Sequence, residues 1–209
     1  MDINKSIYFE LDKLDDNQKI DFCIFCAERT IDLYKDFDLV VNNENLNKLI
    51  EDTDGYSALR EALNYARFNL ANTKDKYDKI EYYINLCAKL MPDYDEYGGD
   101  YETIVAQYIP RTIGFVFEYY NRKENRFVHW CSDNNIEILN AICSFQYRSR
   151  NTTINANEIR NYIVNCYLQE IKIQAQFIDM LKKSVEHSIL VEFINNNLIS
   201  IDYQNHEIP

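Results

Sequence analysis

LDDNQKIDFCIFCAERTIDLYKDF, residues 14–37, is the stretch on which the reading of this chain turns. Ile20, Phe22, Cys23, Cys26, Ala27, Ile31 and Tyr34 recur at spacings of three and four, and Phe25 and Leu33 widen the same face. That period belongs to an amphipathic helix, not to the alternation of a strand. Asp15 or Asp16 is placed to accept hydrogen bonds from the free N–H groups of the first turn. The spacing predicts one buried helix across the stretch, with Glu28-Arg29 in its middle. A charged pair there is solvated, clamps a neighbouring helix, or forms a buried polar pair that serves a site.

Working outward, the same period predicts a short helix over 3–13, then helices over about 57–71, 74–90, 101–120, 127–147 and 157–185. Thr73 is placed to cap the helix beginning at Lys74, and Pro92 to stop it. The helix from Tyr101 is apolar almost all round, which marks it as central. Pro110 inside it removes one backbone hydrogen bond and is expected to kink it, and Gly114 permits a close neighbour. Ser132–Asn135, SDNN, is a polar run that either continues the helix that carries it or interrupts it. Residues 38–54 are polar and Asn-rich and read as a loop with a short helical turn. The final ILVEFINNNLISIDYQ reads equally as a short helix or as two strands turning at Asn195–Asn197.

Several residues resemble a known family. Leu14, Gln18, Phe22, Glu28-Arg29, Tyr34 and Phe37 stand in the order and spacing of the YjaG-like family, small all-helical bacterial proteins. Met91-Pro92-Asp93-Tyr94-Asp95-Glu96-Tyr97-Gly98 is a second matching block, and Glu170 to Leu181 a looser third. The likeness runs over roughly residues 10 to 190. It implies an all-α fold and carries no chemistry over, because the family has none assigned.

The composition agrees. The chain has 209 residues, 46% hydrophobic and 27% charged, which is globular and enough for one core. Four glycines and three prolines are too few for an all-β chain full of tight turns. The expected architecture is an all-α, single-domain antiparallel bundle of six to eight helices over 1–190, with 191–209 as a candidate C-terminal appendage. The N-terminal MDINKSIYFELDKL lacks the apolar core of a leader, and no segment approaches a membrane span. With six cysteines read as reduced thiols, the expected location is the cytoplasm.

Net charge is −12 and unevenly spread. Residues 1–109 hold 23 acidic and 12 basic groups, a net −11, and residues 110–209 hold 11 and 10, a net −1. Such a field repels nucleic acid and anionic membranes and attracts basic proteins. Arg111, Arg122, Lys123, Arg126, Arg148 and Arg150 gather near helix ends of the second half. The simple reading is that they balance the acidic half, and the sharper one is phosphate contact.

No catalytic fingerprint is present: no G-x-S-x-G, P-loop or dinucleotide motif. Cys23-Ile24-Phe25-Cys26 matches C-x-x-C, but it lies inside a predicted helix among aromatics, which favours core cysteines over redox or zinc chemistry. Asp93, Asp95 and Gly98 fit the start of a calcium loop, but Tyr97 and Ile104 occupy two ligand positions. His129, His187 and His206 show no paired metal spacing. No metal or cofactor is therefore expected.

Asp93, Tyr94, Asp95, Glu96, Tyr97, Asp100 and Glu102 instead form an acidic, tyrosine-bearing segment beside paired glycines. They are the expected partner-binding residues. The leading functional expectation is a non-enzymatic protein that binds a basic partner. Its sharpest form is an immunity or antitoxin-like protein that neutralises a nuclease-like toxin domain. A house-keeping interaction protein is one alternative. The other is a helical-bundle enzyme or small-ligand or metal-binding protein, using Glu28 and Arg29 with carboxylates from facing helices.

Overall fold

The computed structural model describes residues 3–35, 37, 54–70, 77–92, 101–150 and 155–199. Among them are eight α-helices and no strand: α1 (Ile3–Asp12), α2 (Asp16–Glu28), α3 (Gly55–Asn69), α4 (Tyr77–Lys89), α5 (Tyr101–Arg122), α6 (Asn125–Arg150), α7 (Ala156–Lys182) and α8 (His187–Asn196). The expected loop at 38–54, apart from Asp54, and the Thr73 cap lie outside the described residues.

Local chemistry sets several boundaries. The Asp15 side chain accepts from the Gln18 N–H while the Gln18 side chain accepts from the Asp15 N–H, so α2 opens on a reciprocal capping box. Asp54 caps α3 through Ser57 N–H at 2.6 Å. Lys123 takes φ 56° just past α5, and its N–H bonds the Tyr119 carbonyl. That left-handed residue lets the chain reverse within two residues into α6.

α5 is the central element and packs on α2, α3, α4 and α6. Val105, Ile109, Ile113, Val116 and Phe117 are buried in it. Pro110 is accommodated without ending the helix. At Gly114 an added Cβ would stand 3.4 Å from Cys87 Cβ, so α4 approaches closely there. The α5–α6 pair is antiparallel. Phe115 meets Phe127 and Trp130, whereas Thr112 receives Cys131 and Asn134 further along. α6 and α7 are antiparallel too, with Ser132 opposite Gln174 and Gln146 opposite Tyr162.

One expectation changes, and two open readings close. The apolar period over residues 14–37 does not make one helix. α2 ends at Glu28, Arg29 caps it, and Ile31–Leu33 form a separate 3₁₀ turn. Thr30 breaks the run: its hydroxyl donates to the carbonyls of Cys26 and Ala27, and its N–H bonds Ala27. Ile31 and Tyr34 remain fully buried beyond the break, so the hydrophobic pattern continues across a changed backbone.

SDNN does not interrupt α6, which is continuous from Asn125 to Arg150. Its polar groups find partners on other helices. Ser132 bonds Gln174, Asp133 accepts from Tyr8, and Asn134 donates to Thr112. Of the two readings of the tail the helical one holds over His187–Asn196, which form α8. Phe193 packs near Phe25 and Phe177, and Ile194 and Ile199 are buried.

Candidate functional site

The break after α2 turns Arg29 inward. Its side chain is 2% exposed, and it meets Glu170 of α7, which is 1% exposed. Two parallel bonds join them, Nη1 to Oε1 at 2.6 Å and Nη2 to Oε2 at 2.8 Å. Nε donates to the Asn197 carbonyl at 2.6 Å, just past α8. The Ile199 N–H returns to the Arg29 carbonyl at 2.9 Å. Arg29 thus ties α2, α7 and the C-terminal segment together.

The network extends inward. Gln174 Nε2 donates to Glu170 Oε1 at 2.9 Å and to the Ser132 carbonyl at 3.2 Å. Ser132 Oγ donates to Gln174 Oε1 at 2.5 Å. Beside it, Phe25 stacks on Phe177 at 3.9 Å, with the Arg29 guanidinium 5.0 Å from the Phe25 ring centroid. Neighbouring Asn135 is fully buried, and neither side-chain polar atom has a hydrogen-bond partner. The charges of Arg29 and Glu170 compensate each other through a fork that matches carboxylate geometry. The arrangement fastens three elements, and its bonded donors and acceptors face inward.

Glu28 and Arg29 are both buried but do not pair with each other. The peptide between them sits at the helix end, and their side chains go to different neighbours. Glu28 reaches α3, where Arg60 Nη1 stands 2.8 Å from Oε2 and Arg67 Nη2 2.7 Å from Oε1. Arg60 also meets Asp32, which receives the Tyr56 hydroxyl at 2.7 Å.

A further polar cluster joins α1 to α6. The Tyr8 ring stacks on His129 at 4.3 Å, and its hydroxyl donates to Asp133 Oδ1 at 2.5 Å. His129 Nε2 lies 2.9 Å from Asp12 Oδ1, which also receives Asn125 Nδ2 at 2.7 Å. Burial holds the Asp133 carboxyl above its ordinary range, against the opposing Tyr8 bond. A carboxylate beside an imidazole is a pairing that general bases use. Sequence reasoning missed this cluster. Its signal was two pairs at helical spacing, Tyr8 with Asp12 and His129 with Asp133, which only the packing of α1 on α6 brings together.

Of the expected partner-binding residues, Asp93, Tyr94, Asp95, Glu96, Tyr97 and Asp100 lie outside the described residues. Glu102 is half-buried in the first turn of α5. Before the segment, Pro92 is buried and its carbonyl accepts from Gln107 at 2.9 Å. Cys23 and Cys26 are fully buried, and burial pushes the Cys26 thiol well up. Arg122, Lys123 and Arg126 stand beside Glu118, Asp16 and Glu124. Among the described residues no group of three or more His, Cys, Asp or Glu side chains is arranged to hold a metal ion, and no helix is long and apolar enough to cross a membrane.

No family model and no curated protein matches the chain. Among solved structures it is similar to a DUF416 family protein from Shewanella baltica OS155. The TM-score is 0.64 at 13% identity, over 91% of this chain and 92% of that one. At that identity the likeness shows the fold alone.

Proposed function

We propose that this chain is a non-catalytic binding protein that captures a basic protein on its acidic first half. The observation that carries the proposal is the charge division, a net −11 over residues 1–109 against −1 over the remainder. Opposite charge speeds encounter and steers it, and it disfavours nucleic acid and anionic membranes as partners. A nuclease must be basic to hold its substrate. The sharpest form of the reading is therefore an immunity or antitoxin-like protein, working in the cytoplasm, that covers such a domain. Membership of the YjaG-like family is proposed with it, from the residues that carry that resemblance.

The geometry adds support on two sides. Arg29 and Glu170, the most deeply buried charges among the described residues, are committed to holding helices together. The acidic segment at 93–100 follows directly on a fastened residue, Pro92, and precedes the start of α5.

The test is charge reversal. Asp93→Lys, Asp95→Lys and Asp100→Lys together are expected to slow association with the partner at least about tenfold at low salt, and less at high salt. Unchanged affinity and on-rate would remove this segment from the binding surface. The alternative of a bundle enzyme or small-ligand protein draws on the Tyr8, Asp12, His129 and Asp133 cluster. A small molecule or metal retained by the purified protein, and lost in His129→Ala, would favour it.

A further inference from the structure

The six cysteines divide sharply. Cys23, Cys26, Cys87 and Cys131 are buried in the core, and burial pushes the Cys26, Cys87 and Cys131 thiols upward. Cys143 on α6 is also buried, but its neighbour Cys166 on α7 is half-exposed. The α6–α7 register sets these two opposite each other. Gln146 faces Tyr162, Tyr147 faces Glu158, and Ser132 faces Gln174 further along. Cys143 and Cys166 occupy the level between, so the register makes the two thiols neighbours.

We propose that Cys143 and Cys166 are a modification site: a thiol pair that reduces a hydroperoxide and closes into an α6–α7 disulfide. Cys166 is the attacking group. It is the cysteine that meets solvent, and the Cys143 thiol is placed to donate a hydrogen bond to its thiolate. That bond lowers the Cys166 thiol below its ordinary range, the Tyr162 hydroxyl assists, and burial opposes. A half-exposed thiol with a lowered pKa beside a second thiol is the arrangement of a redox-responsive cysteine.

The chemistry closes on named atoms. Cys166 Sγ, as thiolate, attacks one peroxide oxygen. The S–O bond forms, the O–O bond breaks, and the leaving oxygen departs as an alcohol, or as water from hydrogen peroxide, after taking a proton. Cys143 Sγ then gives up its proton and attacks Cys166 Sγ. The S–S bond forms, and the sulfenic oxygen leaves as water with that proton. The two thiols supply two electrons, the peroxide accepts them, and an external dithiol reverses the change.

The setting favours closure here over the core. Cys23 and Cys131 are also neighbours, yet both are fully sealed. Around Cys166, by contrast, no side chain of α7 from Ala156 to Gln169 is buried, so this half of α7 can adjust towards disulfide geometry while α6 stays seated in the core. Closing the pair would staple to α6 the half of α7 that has no buried side chain. The inference is independent of the partner-binding proposal.

The experiment treats the full-length protein with a small excess of hydrogen peroxide and follows intact mass and non-reduced peptide maps. The expected result is loss of two hydrogen atoms, a peptide joining Cys143 to Cys166, and reversal by dithiothreitol. In Cys143→Ser the expected product is a sulfenic acid at Cys166 that dimedone captures. In Cys166→Ser neither product forms. A covalent dimer through Cys166 would overturn the proposal. So would absence of the linked peptide, or labelling of the core cysteines at the same rate.

Discussion

The two halves of α7 have opposite surroundings. From Ala156 to Gln169 no side chain is buried; from Glu170 to Leu181 six are, namely Glu170, Ile171, Gln174, Phe177, Ile178 and Leu181. Both halves have a helical apolar pattern, with Ile159, Tyr162, Ile163 and Cys166 in the first and Ile171, Phe177, Ile178 and Leu181 in the second. What differs is the company they keep. The second half meets α2, where Phe25 stacks on Phe177, Arg29 forks onto Glu170 and Gln18 bonds the Leu181 carbonyl. The first half is crossed by α6 contacts such as Tyr162 to Gln146 and Tyr147 to Glu158. Apolar period thus marks a helix, but burial depends on how many neighbours cover it. In this molecule the covered half holds the bundle together, and the uncovered half is free to change.

The largest test of that contrast is Glu170→Ala. It leaves the Arg29 guanidinium buried without its carboxylate, a change that typically costs about 3–5 kcal/mol. Urea unfolding monitored by circular dichroism should register the loss. Replacing both partners, as Arg29→Met with Glu170→Leu, is expected to cost much less than the sum of the two single changes. Additive losses would mean that the fork is not a coupled unit.

A smaller effect is expected where a buried tyrosine meets a surface carboxylate. The Tyr119 hydroxyl donates to Asp16 at 2.8 Å and is the main cause holding the Asp16 carboxyl below its ordinary range, with Lys123 adding to it. A carboxyl with a lowered folded pKa contributes stability above its unfolded value and loses it as pH falls through the folded one. Tyr119→Phe should therefore cost about 1 kcal/mol at neutral pH. The gap from the parent protein should close as pH drops below about 4. A gap that stays constant down to low pH would place the cost in packing instead of the bond.

The smallest effect belongs to the uncovered half of α7. Val164 and Leu168 are 44% and 43% exposed. Changing either to Ala should alter stability by no more than about 0.5 kcal/mol. A loss of several times that size would erase the contrast between the two halves.

Much of the fold was legible in the sequence because helix existence follows from local patterns. The Asp15 cap, the stop at Pro92 and the central helix from Tyr101 all stood where residue chemistry placed them. The end of α2 was not legible. Its apolar period runs on to Tyr34, while the break rests on Thr30 bonding back into the helix and on Arg29 reaching a partner 141 residues away. SDNN stayed an open reading for the same reason. A polar run looks like a helix breaker until Tyr8, Thr112 and Gln174 arrive from other helices to bond it.

The site was less legible still. A clamp on a neighbouring helix stood among the readings of Glu28 and Arg29, but their partners on α3 and α7 were not readable. The Tyr8–His129 cluster needed α1 packed on α6 before it existed. Charge asymmetry, in contrast, is a property of composition and survives any fold.

The most direct test of the central claim, that the acidic half captures a basic protein, is affinity capture by the tagged chain from its own host cells, washed first at low and then at high salt. The expected result is one stoichiometric basic protein that is retained at low salt and released at high salt. The same protein should be lost from the Asp93→Lys, Asp95→Lys, Asp100→Lys variant, and its own activity should fall when the chain is added. Recovery of no protein, or of an acidic one that the variant holds equally well, would contradict it.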